Sequence, residues 1–282
     1  MIQYKRDRRI LSVWIGGVLF LMLLTLSNCA EVPVTHRRGL HLVSNSELNT
    51  MSLQEYDNVI KSSKLSTDQG KIEMIRRVGT RIAKAAEAFL EETGQGQKIK
   101  DYQWEFNVLE DEKTANAWCM PGGKVAVYTG ILPYTHNETG LAVVMGHEVA
   151  HALADHGNER MSQGLLTQLG GQALSTALKQ KPQQTQALFM AVFGMTTNVG
   201  ILLPYSRLHE READRIGLLI MGRAGYDPRE AIGFWERMGK TDQARPPELL
   251  STHPAPDSRI AGIREILPEA IQYYDQSKMK GK

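Results

Sequence analysis

Apolar residues at Ile72, Ile75, Val78, Ile82, Ala85, Ala86 and Phe89 keep a helical period, which predicts a core-facing helix capped by Asp68 and stopped at Thr93-Gly94-Gln95-Gly96. The stretch before it is polar and aperiodic, so residues 29–65 read as a tether that becomes a short helix near 52–63. Tyr102, Trp104, Phe106 and Val108 alternate with polar neighbours, and two more apolar runs, 116–120 and 124–128, flank Pro121-Gly122-Gly123. Alternation and a turn signal together predict a small antiparallel sheet over 102–128.

A helix follows over 138–154, built on Leu141-Ala142-Val143-Val144-Met145 and ended by Asp155-His156-Gly157, with Gly157 as its C-cap. Residues 158–203 read as helical with breaks at Gly164, Gly170-Gly171 and Pro182. Their apolar part, 187–203, is interrupted by Thr196, Thr197 and Asn198, so it is expected to be a buried helix or a flap over a site rather than a membrane span. Further helices are predicted over 207–222, after Asp227 with Pro228 in the first turn, and over 256–267. The expected class is α+β, mostly helical, with the small antiparallel sheet packed on the 138–154 helix.

Charge changes the picture at one end only. Lys5, Arg6, Arg8 and Arg9 outweigh Asp7, so the formal +2 of the whole chain becomes −1 once residues 1–28 are set aside. No basic groove is implied, and no nucleic-acid partner. The basic start, the apolar run from Ile10 to Leu26 and Ser27-Asn28-Cys29 read as an export signal over 1–28. Its end resembles a bacterial lipobox, although Asn28 stands where a small residue is usual; lipidation at Cys29 is expected, with an uncleaved signal anchor as the alternative. Either way the body is expected outside the cytoplasm and tied to a membrane, and Ala30 after the cysteine favours the outer membrane, facing the periplasm. With Cys29 lipidated, Cys119 is the remaining thiol and no intramolecular disulfide forms.

The candidate chemistry lies in His147-Glu148-Val149-Ala150-His151. Residues four apart share a helical face, so His147 and His151 can offer two imidazoles to one zinc ion with Glu148 beside them. Catalytic zinc takes three protein ligands, so a carboxylate or third histidine must come from elsewhere. Glu210 and Asp214, also four apart, suit a ligand and the acceptor of a ligand's outer N–H. Read alone, the segment Glu210-Arg211-Glu212-Ala213-Asp214-Arg215 suits a solvated charged face better than a metal site. His136, His156 and His209 read as structural or solvent-exposed, and Trp118 and Cys119 as packing beside the strand.

His147 to His151, the Glu-x-x-Ala-Asp of Glu210 to Asp214 preceded by Ser206-Arg207, and Ser251-Thr252-His253-Pro254 followed by Asp257-Ser258-Arg259 occur in an order that resembles the HtpX-like zinc metallopeptidase family. Asn116-Ala117 before Pro121-Gly122-Gly123 looks like that family's substrate-binding edge strand, and the Thr35-to-Val43 stretch is similar to its periplasmic lipoprotein branch. The resemblance covers roughly residues 30–268.

It implies a zincin-like domain over 66–282 with one Zn2+ per chain, held by His147, His151 and Glu210, with Asp214 behind them. Glu148 is then the general base and acid of peptide-bond hydrolysis. An extended substrate is expected along Asn116, Ala117 and the strand of Lys124, Val125, Ala126 and Val127, whose unpaired edge would bind any backbone. His253 and Arg259 are candidate oxyanion stabilisers, while His253 in the fourth zinc position would instead block water. The implied function is a membrane-anchored endopeptidase acting on unfolded or misassembled envelope proteins, with outer-membrane assembly machinery as a possible partner. The alternative is a chaperone-like assembly factor with a self-inhibited zinc site.

Overall fold

The computed structural model describes residues 29–170, 172–193, 206–240, 247–253 and 256–280. In chain order its elements are β1 (Cys29–Glu31), β2 (Arg38–Leu40), α1 (Asn45–Ser62), α2 (Gln69–Glu92), β3 (Glu105–Leu109), β4 (Ala117–Met120), β5 (Lys124–Tyr128), α3 (Leu132–Thr135) and α4 (Glu138–Leu153). There follow α5 (His156–Gln168), α6 (Leu174–Gln180), α7 (Pro182–Val192), α8 (Arg207–Arg223), α9 (Glu230–Gly239), α10 (Glu248–Thr252) and α11 (Pro256–Lys280). The class is the expected one, mostly helical with one small three-stranded sheet among the described residues. The export signal over 1–28 and most of the apolar segment beyond Phe193 lie outside the described residues. Among those described, no helix is long and apolar enough to cross a membrane.

The core forms around α4. Every residue from Gly140 to Leu153 is buried, because α2, α8 and β4 pack on different sides of this helix. A helix enclosed all round has to be apolar all round, which is why Leu141 to Met145 show no polar face. α8 comes closest. A Cβ on Gly146 would sit 3.0 Å from the Gly217 carbonyl oxygen, and one on Gly217 would sit 2.9 Å from that of Gly146. Two backbones touch there, at the residue before His147 and three residues after Asp214.

The sheet order is β3-β5-β4, with β5 antiparallel to β4 but parallel to β3. The parallel pair corrects the all-antiparallel expectation: the chain from β3 to β4 is long enough to pass over the sheet, and β5 then inserts between them. Asp111 and Thr114 anchor that connection by a short hydrogen bond of 2.7 Å. The insertion has a second consequence. Both edges of Lys124, Val125, Ala126 and Val127 are already hydrogen-bonded, so this strand offers no free edge to a substrate, and β4 is the edge strand beside α4.

Three further expectations are corrected. Residues 29–65 are not a tether: β1 and β2 form a hairpin, a Ser44–Glu47 capping box starts α1 early, and Val32, Val43, Leu48, Met51 and Tyr56 are buried. Gly157 is not a C-cap; the chain leaves α4 through Asp155 at φ 55° and re-enters helix at His156, with Gly157 packed under the Phe193 ring. α11 runs through Pro268 to Lys280 instead of stopping near 267. Its second half is held by contacts that outweigh the lost hydrogen bond: the Ala270 carbonyl lies where a Gly222 Cβ would be, and Arg223 stacks 3.5 Å over Tyr273.

Gly217→Ala is expected to push α4 and α8 apart, at a cost of about 1–3 kcal/mol. Chemical denaturation of the metal-free protein measures the stability loss, and competition with a chelator measures the weakened metal affinity that should accompany it; wild-type values in both would show that the close crossing is not needed.

Candidate metal centre

His147 and His151 project from one face of α4, both buried, with their Nε2 atoms 3.0 Å apart. Ser206 caps α8 through the His209 N–H, which places Glu210 in the first turn of that helix and under its neighbour's histidines. The Glu210 carboxylate lies 3.4 Å from His151 Nε2 and 3.6 Å from His147 Nε2. After α10, His253 enters with its Nδ1 3.2 Å from His147 Nε2 and 2.9 Å from Glu210 Oε1. One ligand atom from each of these four residues lies within 4.8 Å of all the others.

Three ring nitrogens and a carboxylate converging in this way are the donor set of a divalent ion that prefers N and O. Zinc–nitrogen bonds of about 2.0–2.1 Å place tetrahedral ligand atoms roughly 3.3 Å apart. The separations given above, from 2.9 to 3.6 Å, are of that order, and all four ligand atoms lie within 4.8 Å of one another.

The carboxylates divide by environment. Burial pushes the Glu148 carboxyl above its ordinary value, and His253 and His147 only partly oppose it. Burial acts on Glu210 too, but there the positive fields of His253 and Arg259 win and hold it well below the carboxylate range. His151 is driven down by burial and stays neutral, as a ligand must. His253 goes the other way: burial lowers it, and Glu210 and Glu148 more than reverse the effect. Its Nε2 is 3.4 Å from Glu148 Oε1.

Asp214 occupies the expected place, its Oδ1 3.1 Å from His147 Nδ1, where it can take that proton and leave Nε2 for a metal. Arg259 does not. Its Nε is 3.0 Å from Asp214 Oδ2, its Nη2 bonds Asp214 Oδ1, and its Nη1 is 2.9 Å from Glu210 Oε2, while Trp235 covers the guanidinium at 3.5 Å. A buried guanidinium takes the nearest anions, so Arg259 clamps two carboxylates of α8 rather than facing an oxyanion. Asn116 and Ala117 lie on the other side, lining a narrow gap with Cys119, Glu148, Phe193 and His253. Burial raises the Cys119 thiol far above neutrality, so it is no nucleophile. Cys29 opens β1, at a distance in sequence from all of these residues.

Sequence reasoning missed a second layer. His136 is exposed, but His156 and His209 are buried. His156 Nδ1 lies 3.0 Å from His151 Nδ1 and its Nε2 lies 3.0 Å from Glu212 Oε2, while burial holds its pKa down to about 4. Arg37 joins Glu212 to Glu159, and His209 Nε2 is 3.2 Å from Glu159 Oε2. The left-handed turn at Asp155 re-aims His156 back at His151, which no helical period reveals. A histidine five residues past an HExxH motif was the available signal.

Against known proteins, the model of Peptidase family M48 matches residues 75–267. The mitochondrial metalloendopeptidase OMA1 of Saccharomyces cerevisiae is 30% identical over 97% of this chain and 78% of its own length. Its human counterpart is 28% identical over 91% of this chain and 49% of its own. The beta-barrel assembly-enhancing protease of Escherichia coli is 33% identical over 59% of this chain and 36% of its own. Relatives matched over nine-tenths of the chain are thus named as mitochondrial, which overturns the bacterial outer-membrane, periplasm-facing location expected from the setting of Cys29. With the motif helix, the Glu210 helix and His253 all inside the matched region, the chain belongs to peptidase family M48 and is a metalloendopeptidase.

Proposed function

We propose that this chain is a zinc endopeptidase of protein quality control, cutting unfolded or misassembled proteins at a membrane, with one zinc held by His147, His151 and Glu210. The observation that carries the reading is the convergence of those three side chains beside the raised carboxyl of Glu148. Zinc bound there supplies a Lewis acid that polarises a carbonyl and acidifies water. Glu148 takes the proton of the attacking water on its carboxylate and returns it to the nitrogen of the leaving amine. Asp214 and Arg259 hold His147 and Glu210 in place from outside. An extended substrate adds to β4, the edge strand beside α4 that begins at Ala117 after Asn116, through backbone hydrogen bonds that read little side-chain sequence. Such binding suits unfolded chains. The resemblance to HtpX-like peptidases and the name of the Escherichia coli relative support substrates that have failed assembly. The basic and apolar start of the chain, residues 1–28, supports attachment to a membrane.

A second reading is favoured by His253. Its Nδ1 sits among the other ligand atoms and its Nε2 points at Glu148, so one side chain occupies both the fourth position and the base. The resting enzyme is then self-inhibited, and a chaperone-like assembly role proceeds with the site shut.

Glu148→Gln is expected to lower cleavage of an unfolded protein by about 10²–10⁴-fold with zinc content unchanged; full activity in that variant sinks the proposal. Glu148 works ionised, and burial raises its pKa, so kcat/KM should fall as pH drops through a value above the ordinary carboxylate pKa of about 4.3. A pH profile flat down to that value contradicts the assignment. His253→Ala should raise cleavage at equal zinc occupancy if the side chain blocks the site, whereas a lower rate assigns it to transition-state stabilisation.

A further inference from the structure

Thr35 and Arg37 lie between β1 and β2, more than a hundred residues from the motif helix in sequence, yet they bond a carboxylate of α8. Thr35 Oγ1 donates to Glu212 Oε1 at 2.7 Å, Arg37 Nε to the same oxygen at 2.9 Å, and Arg37 Nη2 to Glu212 Oε2 at 2.8 Å. The other edge of the guanidinium grips Glu159, with Nη1 3.1 Å from Oε1 and Nη2 2.9 Å from Oε2. Glu212 in turn meets His156, which meets His151.

We propose that Arg37, Glu212 and His156 are positioning residues for His151, fixing its tautomer so that the Nε2 lone pair faces the metal. The inference deepens the metal-centre reading and rests on it. A carboxylate gripped by Arg37 and Thr35 is ionised and can only accept hydrogen bonds. His156 Nε2, 3.0 Å from it, therefore carries a proton. The ring is fully buried and Glu212 already has its cation in Arg37, so a second positive charge on His156 is disfavoured and its Nδ1 is a bare acceptor. Two imidazole nitrogens 3.0 Å apart need one proton between them. It comes from His151 Nδ1, which leaves His151 Nε2 unprotonated, on the side of His147 and Glu210. His209, stacked 4.4 Å from His156 and tied to Glu159, stops the ring from turning away.

His147 has a direct carboxylate in Asp214, so the two histidines are oriented differently: one by an acid in contact, the other by an acid acting through a second imidazole. Outer partners of this kind change metal affinity by about 10- to 100-fold when removed. The role gives Thr35 and Arg37 a part in the metal centre although they lie outside the matched family region.

The test uses the full chain, stripped of metal and labelled with ¹⁵N-histidine. Long-range ¹H–¹⁵N correlation should place the proton of His156 on Nε2 and that of His151 on Nδ1. In Glu212→Gln the amide can donate instead of accept, so both tautomers should invert, and zinc affinity, read by competition with a chromogenic chelator, should fall by about 10- to 100-fold. Arg37→Gln should cause a smaller loss with the wild-type tautomers retained. A wild-type His156 protonated on Nδ1, or a Glu212→Gln variant that binds zinc as tightly as wild type, overturns the proposal. If Glu212→Gln does not fold, the wild-type tautomers decide alone. A wild-type chain that takes up no zinc defeats the metal-centre reading and this inference with it, whereas zinc bound to a chain with the opposite tautomers defeats this inference only.

Discussion

Two helices touch backbone to backbone at Gly146 and Gly217, and the metal centre is built from that crossing. Side chains of ordinary size hold packed helix axes about 8–10 Å apart. Glycine at both positions removes that spacer, so the carboxylates of α8 reach the imidazoles of α4 with short side chains. His147 follows one glycine directly and Asp214 precedes the other by three residues, which is why their contact is 3.1 Å. Arg259 from α11 and His253 after α10 are then packed onto a pair that is already fixed, and Trp235 closes the outside.

Such closeness brings many charges out of water. Glu148, Glu210, Glu212, Asp214 and Arg259 are all buried, and burial of isolated charges is expensive. The solution is local pairing: Arg259 serves Asp214 and Glu210, and Arg37 serves Glu212 and Glu159. Among the described residues Glu148 has no guanidinium of its own. Its remaining partner is His253, and the carboxyl is pushed up where its neighbours are pushed down. That difference between otherwise similar acids separates a group suited to exchanging a proton from groups that only hold geometry.

The sequence was most legible where a residue's role depends on a short, regular spacing. His147, Glu148 and His151 share a helix turn, as do Glu210 and Asp214, and periodicity finds them; the same holds for α2 and its Asp68 cap. His253 was legible only through resemblance. What stayed hidden depends on where the chain turns or which strand inserts where. β5 enters between β3 and β4, so a strand that looked like an edge is a centre, a fact about order in space that alternation does not encode. His156 escaped because one left-handed residue, Asp155, redirects it. Glu212 looked like part of a solvated face, but near the start of α8 that face is Arg207, Leu208 and Arg211, while Glu210 and Glu212 are each 3% exposed although they point in opposite directions. Pro268 looked like a stop because local rules do not include Ala270 against Gly222.

The link from Arg37 to Glu212 and Glu159 bears on where the working enzyme begins. The region matched by the family starts at residue 75, and it holds every ligand atom of the centre. A chain trimmed to that boundary keeps the ligands but strands two carboxylates that are now paired with one guanidinium. Removing one partner of a fully buried ion pair costs about 3–5 kcal/mol; with the Arg37 side chain 21% exposed each pair is worth less than that, but a single cut removes the cation from both. A chain that keeps these pairs extends back at least to Thr35, and the turn between β1 and β2 is bonded directly to the helix that carries Glu210.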